Sequence, residues 1–367
     1  MNSLGFDKKN KDTKVVVAMS GGVDSSVAAS MLKKEGYDVM GITLNLYSQT
    51  NAKSPKSCCA GKDIEDAKKV AKQYDFSHAT LDYQDKFFSG VIDNFVETYA
   101  EGKTPVPCIR CNQTVKFTDL LNEAKKNNAD TLVTGHYVRR IGNSKNAKLY
   151  KAKDASKDQS YFLFATLKEQ LDYVRFPIGE FMKSEVRQIA KELKLDVSEK
   201  PDSQDICFVT SNTYRDLINK LKPELNIEGN FLDINGKILG KHKGITNYTI
   251  GQRKGLGIGG SEYPLYVIKI DKNNNEVILA DKSFLKKTKI YLDEINWLDE
   301  SINNSNIRCS AKIRSTQIET SGELHVDPNG AIFTFDEELY STSPGQACVF
   351  YLNDQVLGGG WISVKNN

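Results

Sequence analysis

One short run limits what this chain can fold into more than any other: Val15-Val16-Val17-Ala18-Met19-Ser20-Gly21-Gly22-Val23-Asp24-Ser25-Ser26. The β-branched residues Val15 to Val17 favour an extended strand. Ser-Gly-Gly-x-Asp-Ser follows at once, and a helix-compatible stretch runs on to Glu35. Glycines allow a tight turn that presents backbone N–H groups. The helix start adds unpaired N–H groups and the positive end of its dipole. Strand, glycine turn and helix in that order make a cradle for an anion such as phosphate. The competing reading is an ordinary strand–turn–helix whose start is capped by a Ser or Asp side chain.

The loop lacks the G-x-x-x-x-G-K-[ST] of one common phosphate loop and the G-x-G-x-x-G of dinucleotide binders. It resembles the pyrophosphate loop of enzymes that cleave ATP between the α and β phosphates and adenylate a substrate. That resemblance implies that Ser20, Gly21, Gly22 and Ser25 hold the departing pyrophosphate and that Asp24 helps to place magnesium.

Residues 14 to about 212 alternate apolar strands with amphipathic helices. The pattern predicts strands at Lys14–Met19, Val39–Leu44, His78–Leu81 and Leu132–Thr134. It predicts helices at Ser25–Glu35, Ile64–Tyr74, Phe87–Tyr99, Thr114–Asn127 and Ser184–Leu193. Alternation of this kind gives a doubly wound parallel sheet with helices on both faces. Ligands of such sheets bind beyond the carboxyl ends of the strands. Ser20–Ser25, Leu44 and Gly135-His136 all follow predicted strands, so they border one crevice.

Beyond residue 212, Gly, Asn and Lys punctuate short β-branched and aromatic runs: Phe231–Ile234, Tyr266–Ile270, Val277–Leu279, Ala331–Phe335 and Ala347–Tyr351. This texture predicts antiparallel sheets or small barrels. The expected architecture is an α/β domain over 1–212, a central β-rich domain over 213–282 and a C-terminal β-barrel over 283–367.

Lys+Arg number 50 against Asp+Glu 47, so bulk charge does not single out a nucleic-acid partner, although a local basic face remains open. No apolar stretch approaches the ~20 residues of a membrane span, and the polar, lysine-rich Met1–Thr13 does not read as a secretion signal. The expectation is a cytoplasmic protein with no membrane association. Its 7 cysteines then read as thiols or ligands rather than a disulfide scaffold.

Three segments carry chemistry beyond the loop. The first is Thr104-Pro105-Val106-Pro107-Cys108-Ile109-Arg110-Cys111-Asn112. Cys111 lies before a predicted helix and beside Arg110, and both features lower a thiol pKa. The second is Ser203-Gln204-Asp205-Ile206-Cys207-Phe208, in a polar loop, and the third is Lys157-Asp158-Gln159-Ser160-Tyr161-Phe162-Leu163. With Thr134-Gly135-His136-Tyr137 and Tyr248-Thr249-Ile250-Gly251-Gln252-Arg253-Lys254-Gly255-Leu256-Gly257, these motifs occur in an order that resembles the bacterial tRNA-specific 2-thiouridylases from about Lys14 to Trp361.

The resemblance implies ATP-dependent sulfur transfer to position 2 of the wobble uridine, position 34, in tRNAs for Glu, Gln and Lys. ATP adenylates O2 of the uracil. A sulfur-relay donor protein loads a persulfide on Cys207. Cys111 acts as nucleophile in delivering the sulfur, and a Cys111–Cys207 disulfide is one state of the pair. Ala18, Met19, Ser20, Gly21, Gly22, Val23, Asp24, Ser25, Leu44 and Gly135 match ATP contacts. Val106, Pro107 and Cys108 match the stretch facing the target base; His136, Lys157, Asp158, Gln159, Arg314, Ser315 and Gln346 match tRNA contacts. ATP and magnesium are the implied cofactors, and the expected working form is a monomer.

Many relatives carry Asp where this chain has Cys108. The resulting C-x-x-C with Cys207 leaves a second mechanism open, in which Cys108, Cys111 and Cys207 hold an iron–sulfur cluster with one open iron. A ligase or amidating enzyme acting on a small carboxylate uses the same loop, and a tRNA-binding protein without catalysis is the rival from another class. Ser315 stands where relatives often carry an aromatic residue.

Other polar residues read more plainly. Cys58-Cys59 read as a loop position, Cys309 and Cys348 as small core residues, and His78 as serving its strand. His242 and His325 are expected in loops, and Lys183–Leu193 as a solvated helix face. The basic Tyr248–Gly257 run reads as backbone-tracking RNA contact.

Overall fold

The computed structural model describes all residues except 48–60, 144–145, 203–205, 210–212, 300–305, 328–329, 341 and 365–367. Cys58, Cys59, Ser203, Gln204 and Asp205 therefore lie outside the described residues.

Strands β1 (Lys14–Ala18), β2 (Asp38–Asn45), β3 (Ser77–Asp82) and β4 (Thr131–Thr134) form where apolar β-branched runs predict them. After a hairpin of β5 (Val138–Ile141) and β6 (Lys148–Lys151) comes the short β7 (Val174–Arg175). The sheet order is β3-β2-β1-β4-β7, and every pairing is parallel. Strand periodicity sends Val16 to one core and Val15 and Val17 to the other.

Helices α1 (Val23–Lys34) and α2 (Gly61–Gln73) cover one face. Helices α3 (Gln84–Phe87), α4 (Asp93–Ala100), α5 (Pro107–Cys111), α6 (Leu121–Lys126) and α7 (Lys168–Tyr173) cover the other, and α8 (Lys183–Glu192) returns to the first. The chain runs outward from β1 to β3 and then crosses back to β4 beside β1. The order reverses between those two strands, and that is where such sheets bind ligands. Two predicted helices are not regular: residues 88–92 and 112–120 are π-helical, a rare winding that concentrates at functional sites.

The central region opens with α9 (Tyr214–Leu221) and holds strands β8 (Gly229–Leu232), β9 (Ile238–His242), β10 (Tyr266–Asp271) and β11 (Glu276–Ala280) around Phe231, Val267, Val277 and Leu279. Its order is β10-β11-β8-β9, with one parallel pairing, β11 to β8, that the turn-rich sequence did not announce. His242 is not in a loop: it is the buried last residue of β9.

Six strands follow: β12 (Lys286–Trp297), β13 (Asn306–Lys312), β14 (Thr320–Asp327), β15 (Gly330–Tyr340), β16 (Ala347–Leu352) and β17 (Gln355–Ile362). They run β12-β15-β14-β13-β16-β17, and β17 pairs back to β12 to close an antiparallel barrel. Closure needs Gly358, whose φ is +153° and where a Cβ would lie 2.3 Å from the Asn296 carbonyl oxygen. Cys309 and Cys348 are buried in β13 and β16 as expected, and His325 lies in β14 rather than a loop. The β5–β6 hairpin adds to the barrel edge through Gln355↔Tyr150 and Val356↔Leu149, so the α/β domain and the barrel share one sheet. Among the described residues no helix is long and apolar enough to cross a membrane.

Candidate functional site

Ser20 to Ser25 form the turn from β1 into α1. Gly21 has φ +73°, and a Cβ there would lie 2.1 Å from the Asp63 carbonyl oxygen. Gly22 is the residue before the first helical turn, and no side chain caps it. The hydroxyls of Ser25 and Ser26 instead donate back to the Gly22 carbonyl at 3.3 and 2.8 Å. The capped-turn alternative therefore fails. The first N–H groups of a three-turn helix are left for an anion.

Gly135 at the end of β4 crosses this turn closely: a Cβ there would lie 2.7 Å from Ser25 N and 2.9 Å from the Asp24 carbonyl carbon. Ala18 is half-buried, Met19, Val23 and Ser25 are buried, Ser20 is exposed, and Leu44 is buried beyond the β2 pairing with β1. Except for Leu44, which lies in β2 one strand away, the sequence-predicted nucleotide residues thus lie together at the switch point of the sheet.

Two lysines that the sequence did not single out flank the turn. Lys183, expected on a solvated face, is buried at the start of α8. Its ammonium donates to both Asp24 carboxylate oxygens, at 2.7 and 2.8 Å, and pairs with Asp202 at 2.9 Å. Asp24 also accepts from the Tyr137 hydroxyl at 2.8 Å. Burial raises the Tyr137 phenol, and the neighbouring Asp24 carboxylate raises it further. Burial alone would raise Asp202, but Lys157 and Lys183 hold it down at about 2. On the other side Lys200 donates to the Gly21 carbonyl at 2.9 Å and pairs with Asp63 and Asp66 at 2.6 and 2.7 Å. Helical periodicity alone made α8 look solvated; only the fold shows that its first residue points at the loop.

Cys111 is the last residue of α5, which starts with Pro107 at its first position. The helical backbone starts at Pro107 and runs on through the π-helical 112–120, so Cys111 lies inside the helical run rather than at its start, and no helix start lowers its thiol. Burial pushes the Cys111 thiol up, with the nearby Lys116 ammonium pulling against it. Arg110 does not supply that cation either. It donates to Gln113 and Glu294, both at 3.1 Å, and stacks 4.5 Å from the Trp361 ring. Cys108, one turn earlier, is exposed, while Val106 packs against the core and Pro107 is buried.

Cys207 is half-buried and packs on the apolar cluster that contains Cys111. Its neighbour Phe208 anchors it, edge-on to Phe87 and Phe95 with centroids 5.7 and 5.2 Å away. Cys111 is a free thiol in this conformation.

His136 hydrogen-bonds Thr134 Oγ1 through Nδ1 at 2.8 Å and meets Phe117 and Phe176 edge-on. Burial, reinforced by Lys116, holds its pKa well below the usual range, so the ring is neutral at pH 7. The 157–159 stretch is tied inward. Lys157 pairs with Asp202 at 2.7 Å, Asp158 accepts from Ala152 N and the Ser160 hydroxyl, and Gln159 accepts from Tyr137 N at 2.8 Å.

A second concavity, about 610 Å³, lies where the three regions meet. Thr104, Arg215, the Thr249–Lys254 stretch of the basic glycine run, Arg314 and Gln346 line it. Gln346 donates to the Thr104 carbonyl at 3.3 Å and Thr104 N to the Pro344 carbonyl at 2.8 Å. The barrel thereby clamps the extended segment that leads into α5. Ser315 is exposed nearby in sequence but does not line the concavity. Four positively charged side chains, Arg215, Arg253, Lys254 and Arg314, make this cleft suited to phosphates.

Among the described residues no group of three or more His, Cys, Asp or Glu side chains is arranged to hold a metal ion. Cys108, Cys111 and Cys207 are not gathered into such a group in this structure. Asp24, the magnesium candidate, already accepts from Lys183 through both oxygens.

Family profiles divide the chain into three stretches. One described as a tRNA methyl transferase HUP domain matches residues 13–211, a PRC-barrel profile of the same family matches 215–281, and an aminomethyltransferase β-barrel profile matches 287–362. The chain is 47% identical to the tRNA-specific 2-thiouridylase MnmA of Rhodospirillum centenum, over 99% of this chain and 94% of that protein. It is 51% identical to the protein of that name from Wolbachia pipientis wMel, over 97% and 96%. This chain belongs to the tRNA-specific 2-thiouridylase family. Among solved structures, an NMN synthetase from Francisella tularensis aligns over 58% of this chain and 78% of its own, at 18% identity and TM-score 0.33. A 4-thiouridine synthetase–RNA complex with bound ATP aligns over 58% and 50%, at 18% identity and TM-score 0.33.

Proposed function

We propose that this protein is an ATP-dependent sulfurtransferase that makes 2-thiouridine at position 34 of the tRNAs for Glu, Gln and Lys. Uracil O2 attacks the α-phosphorus of ATP. The O2–P bond forms, the bond to the bridging oxygen breaks, pyrophosphate leaves and the N3 proton passes to solvent. O2 is now a good leaving group. The terminal sulfur of a persulfide on Cys207 attacks C2, and AMP departs with O2. Cys111 then attacks the Cys207 sulfur of the C2–S–S–Cys207 linkage. The outer sulfur stays on the base, and a Cys111–Cys207 disulfide remains. Two equivalents of an external thiol reduce that disulfide and end as a disulfide themselves, and a sulfur-relay donor protein reloads Cys207.

The target base leaves its stack to reach this chemistry, and Val106, Pro107 and Cys108 face it. The cleft of Arg253, Arg314 and Gln346 holds the tRNA backbone, with His136, Lys157, Asp158, Gln159 and Ser315 as further contacts. Ala18–Ser25, Leu44 and Gly135 hold ATP, which arrives as its magnesium complex. The enzyme works as a monomer in the cytoplasm. The observation that carries the reading is the uncapped start of α1 at the sheet's switch point, in a chain of this family. Nucleoside mass spectrometry of tRNA incubated with the protein, ATP and a persulfide donor tests it. Cys111→Ser and Cys207→Ser are expected to yield no 2-thiouridine. Full product from either variant overturns the roles given to those cysteines.

A further inference from the structure

We infer that Lys183 is a catalytic residue of the adenylation step, its ammonium meeting the charge that builds on the departing pyrophosphate. This rests on the proposed function and adds a group that the loop motif does not contain. The Ser-Gly-Gly-Val-Asp-Ser turn carries no cation of its own. Yet cleavage at the α-phosphorus moves negative charge onto the leaving diphosphate, and a fixed cation there acts more strongly in the transition state than in the ground state.

Lys183 is the cation that the fold aims at this place. It is the first residue of α8, and Asp154 fixes its backbone by accepting from Lys183 N at 2.9 Å. Its side chain is 10% exposed and reaches Asp24 in the first turn of α1 through both carboxylate oxygens. A buried lysine is expensive unless paired. Asp24 and Asp202 pair it, and the Tyr137 ring lies 5.5 Å from the ammonium. Asp202 is itself held by Lys157 and Arg187 at 2.7 and 2.8 Å, so it cannot follow Lys183 away. Lys200 flanks the opposite end of the turn but is tied to the Gly21 carbonyl, Asp63 and Asp66 on the α2 side. When nucleotide enters, the ammonium stays in place and exchanges part of its bonding with Asp24 for a phosphate oxygen. No proton or covalent bond at Lys183 changes.

The test is Lys183→Met, read as tRNA-dependent pyrophosphate release from ATP, with ATP binding and thermal unfolding measured alongside. The expected result is a loss of about 100-fold in kcat, with a much smaller change in ATP affinity and unchanged tRNA binding. A purely structural role moves unfolding and both kinetic constants together. If the bare Asp24 and Asp202 carboxylates stop Lys183→Met from folding, the double variant Lys183→Met/Asp202→Asn removes the surplus charge and is assayed in the same way. Either folded variant releasing pyrophosphate within threefold of the parent rate overturns the assignment. A parent protein that releases none with any of the three tRNAs refutes the functional reading underneath it instead.

Discussion

Gly135→Ala isolates the packing on which the nucleotide cradle depends. The added Cβ would lie 2.7 Å from Ser25 N, 2.9 Å from the Asp24 carbonyl carbon and 3.1 Å from Ser25 Cα. Ordinary contact begins near 3.4 Å, so the first turn of α1 must retreat by about 0.7 Å or β4 must give way. All the opposing atoms are backbone, and no side chain can swing aside. Overpacking of this kind costs about 1–3 kcal/mol, and the lost backbone freedom of the unfolded chain returns about 0.4–1 kcal/mol. The net destabilisation is about 1–2 kcal/mol, too little to unfold the domain. The displacement falls on the N–H groups proposed to receive phosphate, and a misplacement near 1 Å costs about 100-fold in rate. The assay is pyrophosphate release under saturating tRNA, with the denaturant midpoint as a check on folding. A folded Gly135→Ala protein with parent activity would refute the claim that this close approach shapes the cradle.

Further outcomes follow from the same geometry. Asp202 is held down at about 2 in the folded protein, below its ordinary carboxylate value. Its contribution is therefore present above about pH 4 and lost as pH falls toward 2, and Asp202→Asn is expected to flatten that acid limb of an unfolding profile. Burial pushes Cys309 up to about 12. The folded thiol binds its proton more tightly than the unfolded one, so stability falls as pH rises from about 8.5, and Cys309→Ala reduces that slope in alkaline melts. Trp361→Ala removes the ring stacked on Arg110 and is expected to cost about 1–2 kcal/mol and to lower thiolation by loosening α5; unchanged stability in urea would show that the contact is idle. Cys207→Ser leaves adenylation intact, so it still releases pyrophosphate while making no thiolated base.

Much of this was legible in the sequence, for identifiable reasons. Val15–Val17 and the Ser-Gly-Gly turn are local features, and each reads the same alone as in the fold. Arg314 and Gln346 could be singled out only through family resemblance, because nothing local says that residues so far apart share a cleft with Arg253. Lys183 is not legible in the sequence because a hydrophobic stripe locates the buried face of a helix but not what meets its first residue. Local sequence puts Cys111 before a helix, with the favourable dipole that position brings. Pro107 starts the helical run seven residues before the predicted Thr114, leaving Cys111 inside it and buried. The joining of β6 to β17 depends on contacts across some 200 residues, which no local pattern encodes.

The central claim is that base activation and sulfur delivery are coupled at one site. The most direct measurement counts pyrophosphate and 2-thiouridine together, using purified protein whose Cys207 has been loaded as a persulfide, substrate tRNA and ATP. The account predicts one pyrophosphate for each 2-thiouridine in a single turnover, and none of the thiolated base when ATP is withheld. Thiolation that proceeds without ATP, or ATP cleavage that never yields 2-thiouridine from the loaded protein, would contradict it.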